Sequence, residues 1–197
     1  MERIGLFGGT FDPPHVGHLA LAEWARERLR LDRVLFVPAG APPHKRPDAV
    51  SSAADRLAMT RLAVRGNPAF QVSTLELRRG GPSFTIDTLR AFARRAPRER
   101  RFLLVGADSL DDFRRWHEPE GILELATLAV AGRPGAGAAA ARAWAKARGV
   151  VWIGNPDFEV SSSAIRVRAR RGLSVRYLVP DRVAAYIAAR RLYRSRR

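Results

Sequence analysis

With 197 residues, 46% of them hydrophobic and 8% aromatic, the chain can bury one real core and has the makeup of a globular protein, not of a disordered or fibrous one. Its 35 basic residues against 19 acidic ones give a net charge of +16, which attracts anions, whether nucleic acid, anionic lipid or phosphorylated small molecules. Apolar runs such as Val34–Val37 are far shorter than the roughly 20 residues that cross a bilayer, cysteine is absent, and Met1–Gly5 lacks the charged and apolar regions of a signal peptide, so a cytoplasmic address and no membrane partner are expected.

The elements alternate along the chain. Ile4–Phe7 reads as a first strand and runs into Gly8, Gly9, Thr10 and Phe11. An i, i+4 apolar row, Leu21, Ala25 and Leu29, with Glu23, Arg26, Glu27 and Arg30 opposite, predicts an amphipathic helix. Val34–Val37 is the second strand, followed by a loop through Gly40 to Lys45. Ser52 with Asp55 resembles a capping box and opens a helix through Val64, stopped by Gly66, Asn67 and Pro68. Strands follow at Gln71–Leu75, Phe102–Val105, Leu128–Ala131 and Val150–Ile153, with a helix carrying Ile86, Leu89 and Ala93 that Ser83 can cap.

Gly132–Gly137 and the alanine-rich run to Lys146 read as a loop and a surface helix. Pro180 and Asp181 open a last helix with Val183, Tyr186 and Ile187 on one face. Short strands alternating with helices predict an α/β fold, a Rossmann-like open parallel sheet with helices on both faces. The expected organisation is a single domain, 1–160 forming the sheet and crossover helices and 161–197 a small C-terminal helical portion.

Chemistry concentrates in two places. The first is the turn Gly8–His18, Gly-Gly-Thr-Phe-Asp-Pro-Pro-His-Val-Gly-His. It leaves a first strand at its carboxyl end, where ligands of open α/β sheets bind, and enters a helix whose unpaired N–H groups suit phosphate. It is neither a Walker loop nor the dinucleotide Gly-x-Gly-x-x-Gly spacing. His15 and His18, three apart, point to one side of the first helical turn, and Gly17 leaves room for a phosphate or a flat ring. A zinc pair is the rival reading, but no third ligand of good spacing and no cysteine accompany it.

The second place is Val160–Arg166, Val-Ser-Ser-Ser-Ala-Ile-Arg. Serines at a helix start serve as caps or as anion receivers, and Arg166 close behind Ser161, Ser162 and Ser163 favours the anion, since a guanidinium beside N–H and O–H donors suits a triphosphate.

Together these two segments resemble the HxGH and SSTxIR-type signatures of the nucleotidyltransferase superfamily; Ser163 stands where that pattern has threonine, keeping the hydroxyl and losing a methyl. Within it, Pro42–Lys45, Gly80–Leu89, Gly106–Trp116 and the ending Tyr-Leu-Val-Pro-Asp-Arg-Val-Ala-Ala-Tyr-Ile are similar to bacterial nicotinate-nucleotide adenylyltransferases over nearly the whole chain. The resemblance implies transfer of the adenylyl group of ATP to nicotinate mononucleotide, with Mg²⁺ held mainly by the phosphates and no metal cage of protein ligands. It implies His15, His18, Lys45 and Arg166 as catalytic residues. Gly8, Gly9, Thr10, Phe11, Ser161, Ser162 and Ser163 would bind ATP, and His44, Thr85, Asp108, Trp116 and Arg133 the mononucleotide.

Two of these have a physical argument of their own. The Trp116 ring face suits a cationic pyridinium, and Asp108, just past a strand end, suits a ribose hydroxyl. Arginines 190, 191, 194, 196 and 197 offer a basic tail for nucleic acid, but a tail does not account for His15 and His18, and nucleic acid is not an expected partner. Arginine dominates the positive charge, with Lys45 and Lys146 the only lysines, which reads as compositional bias and a solvated surface. A homo-oligomer is left open.

Overall fold

The computed structural model describes residues 1–41, 50–132, 144–156 and 158–194, the side chains of Asp108 and Asp111 excepted. Six parallel strands form one sheet in the order β3-β2-β1-β4-β5-β6: β1 (Arg3–Gly9), β2 (Arg33–Pro38), β3 (Phe70–Val72), β4 (Arg100–Val105), β5 (Thr127–Val130) and β6 (Val151–Trp152). The helices are α1 (Val16–Arg28), α2 (Ala53–Val64), α3 (Leu75–Arg79), α4 (Thr85–Arg95), α5 (Ala107–Asp112), α6 (Pro119–Leu125), α7 (Ser162–Arg170) and α8 (Asp181–Ala189). This is the expected Rossmann-like α/β fold.

Period-two alternation sends each strand's side chains to two cores. Phe7, Val34, Phe36, Phe102, Leu104 and Ala129 pack with Leu21, Ala22 and Ala25 of α1. Ile4, Leu6, Leu35, Leu103, Val105, Leu128 and Val130 pack with Ile86 and Leu89 of α4 and Ile122 of α6. Because both faces are covered, the central strands are nearly continuous apolar runs. A third cluster joins Met59 and Ala63 of α2 to Ile165 and Ala169 of α7 and to Val183 and Ile187 of α8. The chain after the sheet is thereby fixed to α2, beside the first turn.

Strand order reverses between β1 and β4. β1 pairs with β2 through Gly9, opposite Pro38, but with β4 only as far as Leu6, opposite Leu103. The end of β1 therefore runs on beyond its pairing with β4, and the resulting crevice lies where ligands bind in doubly wound sheets.

Local chemistry moved several boundaries. β3 stops at Val72, and Leu75 opens α3 instead of ending a strand, because Ser73 makes the last ladder bond, to the Phe36 carbonyl, and its hydroxyl then accepts from Leu75 N at 3.3 Å. Ser52 caps α2 as expected, accepting from Asp55 N at 3.0 Å. Ser83 does not cap α4: its hydroxyl accepts from Gly40 N at 2.9 Å and Ala41 N at 3.3 Å, joining two loops. The end of the alanine-rich run is helical over 144–147 and lies at the surface as expected, with Lys146 and Ala147 exposed, while its inner face is held by the fully buried Ala145 and by Trp144, 5.5 Å from the Phe113 ring. Its residues 133–143 lie outside the described residues.

Candidate active site

The turn after β1 is held by aromatic packing. Phe11 takes a left-handed φ of 51°, a strained conformation for a side chain of its size. Its ring folds back over Gly9, where a Cβ would lie 2.9 Å from Phe11 Cζ, and sits 5.6 Å from Phe7, 5.6 Å from Phe36 and 5.1 Å from His18. Phe11 is 2% exposed. It supports His18 from within the core, whereas the sequence suggested contact with ATP.

His15 is the N-cap of α1 and His18 its third residue. The His15 backbone N–H donates to His18 Nδ1 at 3.1 Å, and the two rings stack at 3.7 Å. With Nδ1 accepting, the proton of a neutral His18 sits on Nε2. His15 is 7% exposed, its Nδ1 has no hydrogen-bond partner among the described residues, and burial lowers its pKa to about 4. It is neutral at pH 7 and brings shape and a hydrogen-bonding edge without positive charge. The Cβ direction at Gly17 is closed by protein: a Cβ there would meet His15 Nδ1 at 3.2 Å and Val160 Cγ1 at 3.3 Å.

Helix α7 is fastened to the same turn. Ser161 is its N-cap and accepts from Ala164 N at 3.2 Å. The Ser162 hydroxyl donates to the Pro13 carbonyl at 2.8 Å. Arg166, in the second helical turn, donates through Nη1 to the Asp12 carbonyl at 2.8 Å and through Nη2 to Ser163 Oγ at 3.2 Å. The N-termini of α1 and α7 flank a cavity of about 460 Å³ lined by His15, Gly17, His18, Gly106, Ser161 and Ser162. The positive ends of two helix dipoles make such a cavity a receiver of anions, with Val16 N–H and Ala164 N–H already taken by the Leu178 carbonyl and Ser161 Oγ.

A second cavity, of about 970 Å³, is lined by Gly8, Gly9 and Thr10 and by Phe84, Thr85, Trp116 and His117. Gly8 has nothing within 4 Å of where a Cβ would stand, so a ligand can approach the backbone there. Trp116 is half-buried, its ring 5.2 Å from Phe113, and so packs on the core while facing the cavity. Consecutive residues at the end of β4 line the two cavities, Val105 the larger and Gly106 the smaller.

A family model described as cytidylyltransferase-like matches residues 6–168. A probable nicotinate-nucleotide adenylyltransferase of Thermomicrobium roseum is 46% identical over 199 residues, covering 99% of this chain and 93% of its own. One from Thermus thermophilus is 49% identical over 192 residues, covering 98% of this chain and 100% of its own. The chain belongs to the nicotinate-nucleotide adenylyltransferase family. In fold it also matches the solved Plasmodium falciparum nicotinic acid mononucleotide adenylyltransferase complexed with NaAD, with a TM-score of 0.80 at 17% identity over 98% of each chain.

As a member of the adenylyltransferase family the chain is a nucleotidyltransferase, and such enzymes work on ATP with a divalent cation. The residues singled out in the sequence fall on both cavities: His15, His18, Ser161 and Ser162 on one, Gly8, Gly9, Thr10, Thr85 and Trp116 on the other. Arg166 and Ser163 line neither: Arg166 bonds the turn at the Asp12 carbonyl, and Ser163 accepts from Arg166. His44, Lys45 and Arg133 lie outside the described residues, and Asp108 is described only as backbone of α5.

Sequence reasoning passed over Asp12 and Arg56, each 1% exposed. Asp12 accepts from Ser51 N at 3.0 Å and from the Tyr193 hydroxyl at 2.7 Å. Arg56 had a signal: it occupies the buried stripe of α2 with Met59, Thr60, Ala63 and Val64, where a charge has no place unless it is bonded. Among the described residues no helix is long and apolar enough to cross a membrane.

Proposed function

We propose that residues 1–197 act as one nucleotidyltransferase domain in the cytoplasm, transferring the adenylyl group of ATP to nicotinate mononucleotide to give nicotinate adenine dinucleotide and pyrophosphate. The observation that carries this reading is the pair of adjoining cavities at the β1/β4 crevice, an anion-receiving one between two helix N-termini and a larger one faced by Trp116. The family membership supports the same substrates.

The chemistry asks for little beyond placement. The mononucleotide phosphate, with a second pKa near 6, is already largely dianionic at pH 7 and attacks the α-phosphorus of ATP without a general base. His18, through Nε2–H, and the N–H groups at the starts of α1 and α7 are the donors that would meet charge developing on the phosphates. Neutral His15 orients His18 by backbone hydrogen bond and ring stacking. Lys45 and Arg166 would add positive charge, Arg166 by holding the turn. Gly8, Gly9, Thr10, Ser161, Ser162 and Ser163 would serve ATP, and His44, Thr85, Asp108, Trp116 and Arg133 the mononucleotide, with Trp116 against the pyridinium.

The donors facing the smaller cavity suit phosphate oxygens better than a metal, and among the described residues no three of His, Asp and Glu gather as metal ligands. Mg²⁺ bound on the phosphates would neutralise part of their charge. The test is pyrophosphate release with ATP and Mg²⁺ across three acceptors: nicotinate mononucleotide, its amide and phosphopantetheine. The acid is expected to be used far better than the amide and phosphopantetheine not at all; equal rates on acid and amide would overturn the substrate assignment.

A further inference from the structure

Arg56 is the largest fully buried side chain of the protein's described residues. Burial disfavours its charge, which Asp12 and Glu76 offset from nearby. Its guanidinium donates to three carbonyls on three separate segments: from Nε to Ser51 at 3.2 Å, from Nη1 to Thr10 at 3.1 Å and from Nη2 to Gly40 at 3.1 Å. Thr10 belongs to the turn after β1, Gly40 follows β2, and Ser51 precedes α2. A side chain that only filled space on α2 would be apolar, as its stripe neighbours Met59 and Ala63 are; a planar fork of fixed donors reaches backbone of several segments at once.

Gly40 is held from its other side as well. Its N–H donates to Ser83 Oγ at 2.9 Å, two residues before Thr85, and a Cβ on Gly40 would lie 2.6 Å from the Glu76 carbonyl oxygen, so the backbone there has no slack. A continuous chain of contacts therefore runs from the Thr10 carbonyl through Arg56 to Gly40 and on through Ser83 to the start of α4. Thr10 and Thr85 both line the larger cavity.

We infer that Arg56 is a positioning residue for adenylyl transfer, tying the Thr10 wall of the larger cavity to the Thr85 wall and so setting the distance between the reacting groups. It touches no substrate. The inference rests on the adenylyl-transfer reading for its kinetic consequence and on the contacts above for its structural one. A misplacement of about 1 Å lowers the chemical step by up to about 100-fold while ground-state binding is less affected.

The experiment compares Arg56→Lys, which keeps the charge but loses the fork, with Ser83→Ala, which cuts the same chain at a half-buried hydroxyl without a buried charge, and with Val64→Ala, a core truncation on the same helix. Steady-state kinetics with ATP and nicotinate mononucleotide and backbone amide exchange over residues 8–12 and 39–41 are measured for each below its unfolding transition. For Arg56→Lys, kcat is expected to fall about 10- to 100-fold with the KM for ATP changed by less than about 3-fold, and exchange in both segments to accelerate. Ser83→Ala should move both readouts the same way by less, and Val64→Ala neither. A loss of kcat no greater in Arg56→Lys and Ser83→Ala than in Val64→Ala, or unchanged exchange, would overturn the inference. Wild-type protein that makes no dinucleotide would instead refute the proposed function, leaving amide exchange to decide whether Arg56 ties the two walls.

Discussion

Replacing His15 by Asn removes a group that the fold holds neutral, and the effect on stability can be worked out from its surroundings. The imidazole is 7% exposed, stacked at 3.7 Å on His18, with Nδ1 unpartnered among the described residues, and burial lowers its pKa from 6.5 to about 4. Between these values the unfolded chain binds the proton and the folded one does not, so the stability held by wild type near neutral pH drains away as pH falls from about 6.5 to about 4. A shift of this size corresponds to roughly 3 kcal/mol at the acid end and about 1.7 kcal/mol midway. Glu76, whose pKa burial raises, changes stability in the opposite sense, being favoured at low pH, so the His15 share is read from the difference between wild type and variant. Asn keeps N-cap competence. Urea unfolding of both proteins at about pH 7, 5.5 and 4 should show wild type losing about 3 kcal/mol more than His15→Asn across the range. A difference between the two that stays flat with pH would refute the claim that His15 is buried neutral.

Other outcomes follow from the same geometry. His18→Ala should leave the fold intact and lower kcat by about 100-fold or more, as loss of a donor to transition-state charge does; a folded and fully active variant would remove His18 from the mechanism. Gly17→Ala adds a methyl 3.2 Å from His15 Nδ1 and 3.3 Å from Val160, so turnover should fall even though the helix gains up to about 1 kcal/mol in propensity; unchanged kcat would show that the His15–His18 stack tolerates displacement. Trp116→Ala should raise the KM for nicotinate mononucleotide by about 2- to 30-fold, with the KM for ATP unmoved; equal effects on both would point to core damage.

The sheet was readable because each strand carries its own period. In β2, Val34 and Phe36 go to one core and Leu35 to the other, and the alternation with helices foretold parallel pairing. Positions that depended on partners distant in the chain were harder to read. Ser83 looks like a cap in its local setting and becomes a loop tie only because Gly40 and Ala41 arrive beside it. Phe11 reads as part of a ligand turn and is drawn inward by Phe7 and Phe36.

At the site, the placement of the glycines at the end of β1 and of the histidines and serines at two helix starts was legible, since short-range helix-start chemistry specifies it. The depressed pKa of His15 was not, because it comes from burial under residues distant in the chain. Asp12 lay in plain view inside the motif, yet its work is done with Ser51 and Tyr193, far along the chain.

The central claim, adenylyl transfer by attack of the mononucleotide phosphate across the β1/β4 crevice, is tested most directly by isotope position. Nicotinate mononucleotide labelled with ¹⁸O on its phosphate is turned over with unlabelled ATP, and both products are weighed by mass spectrometry. The account predicts that all of the label stays in the dinucleotide and that the released pyrophosphate is unlabelled. Label in the pyrophosphate, or no dinucleotide formed at all, would contradict it.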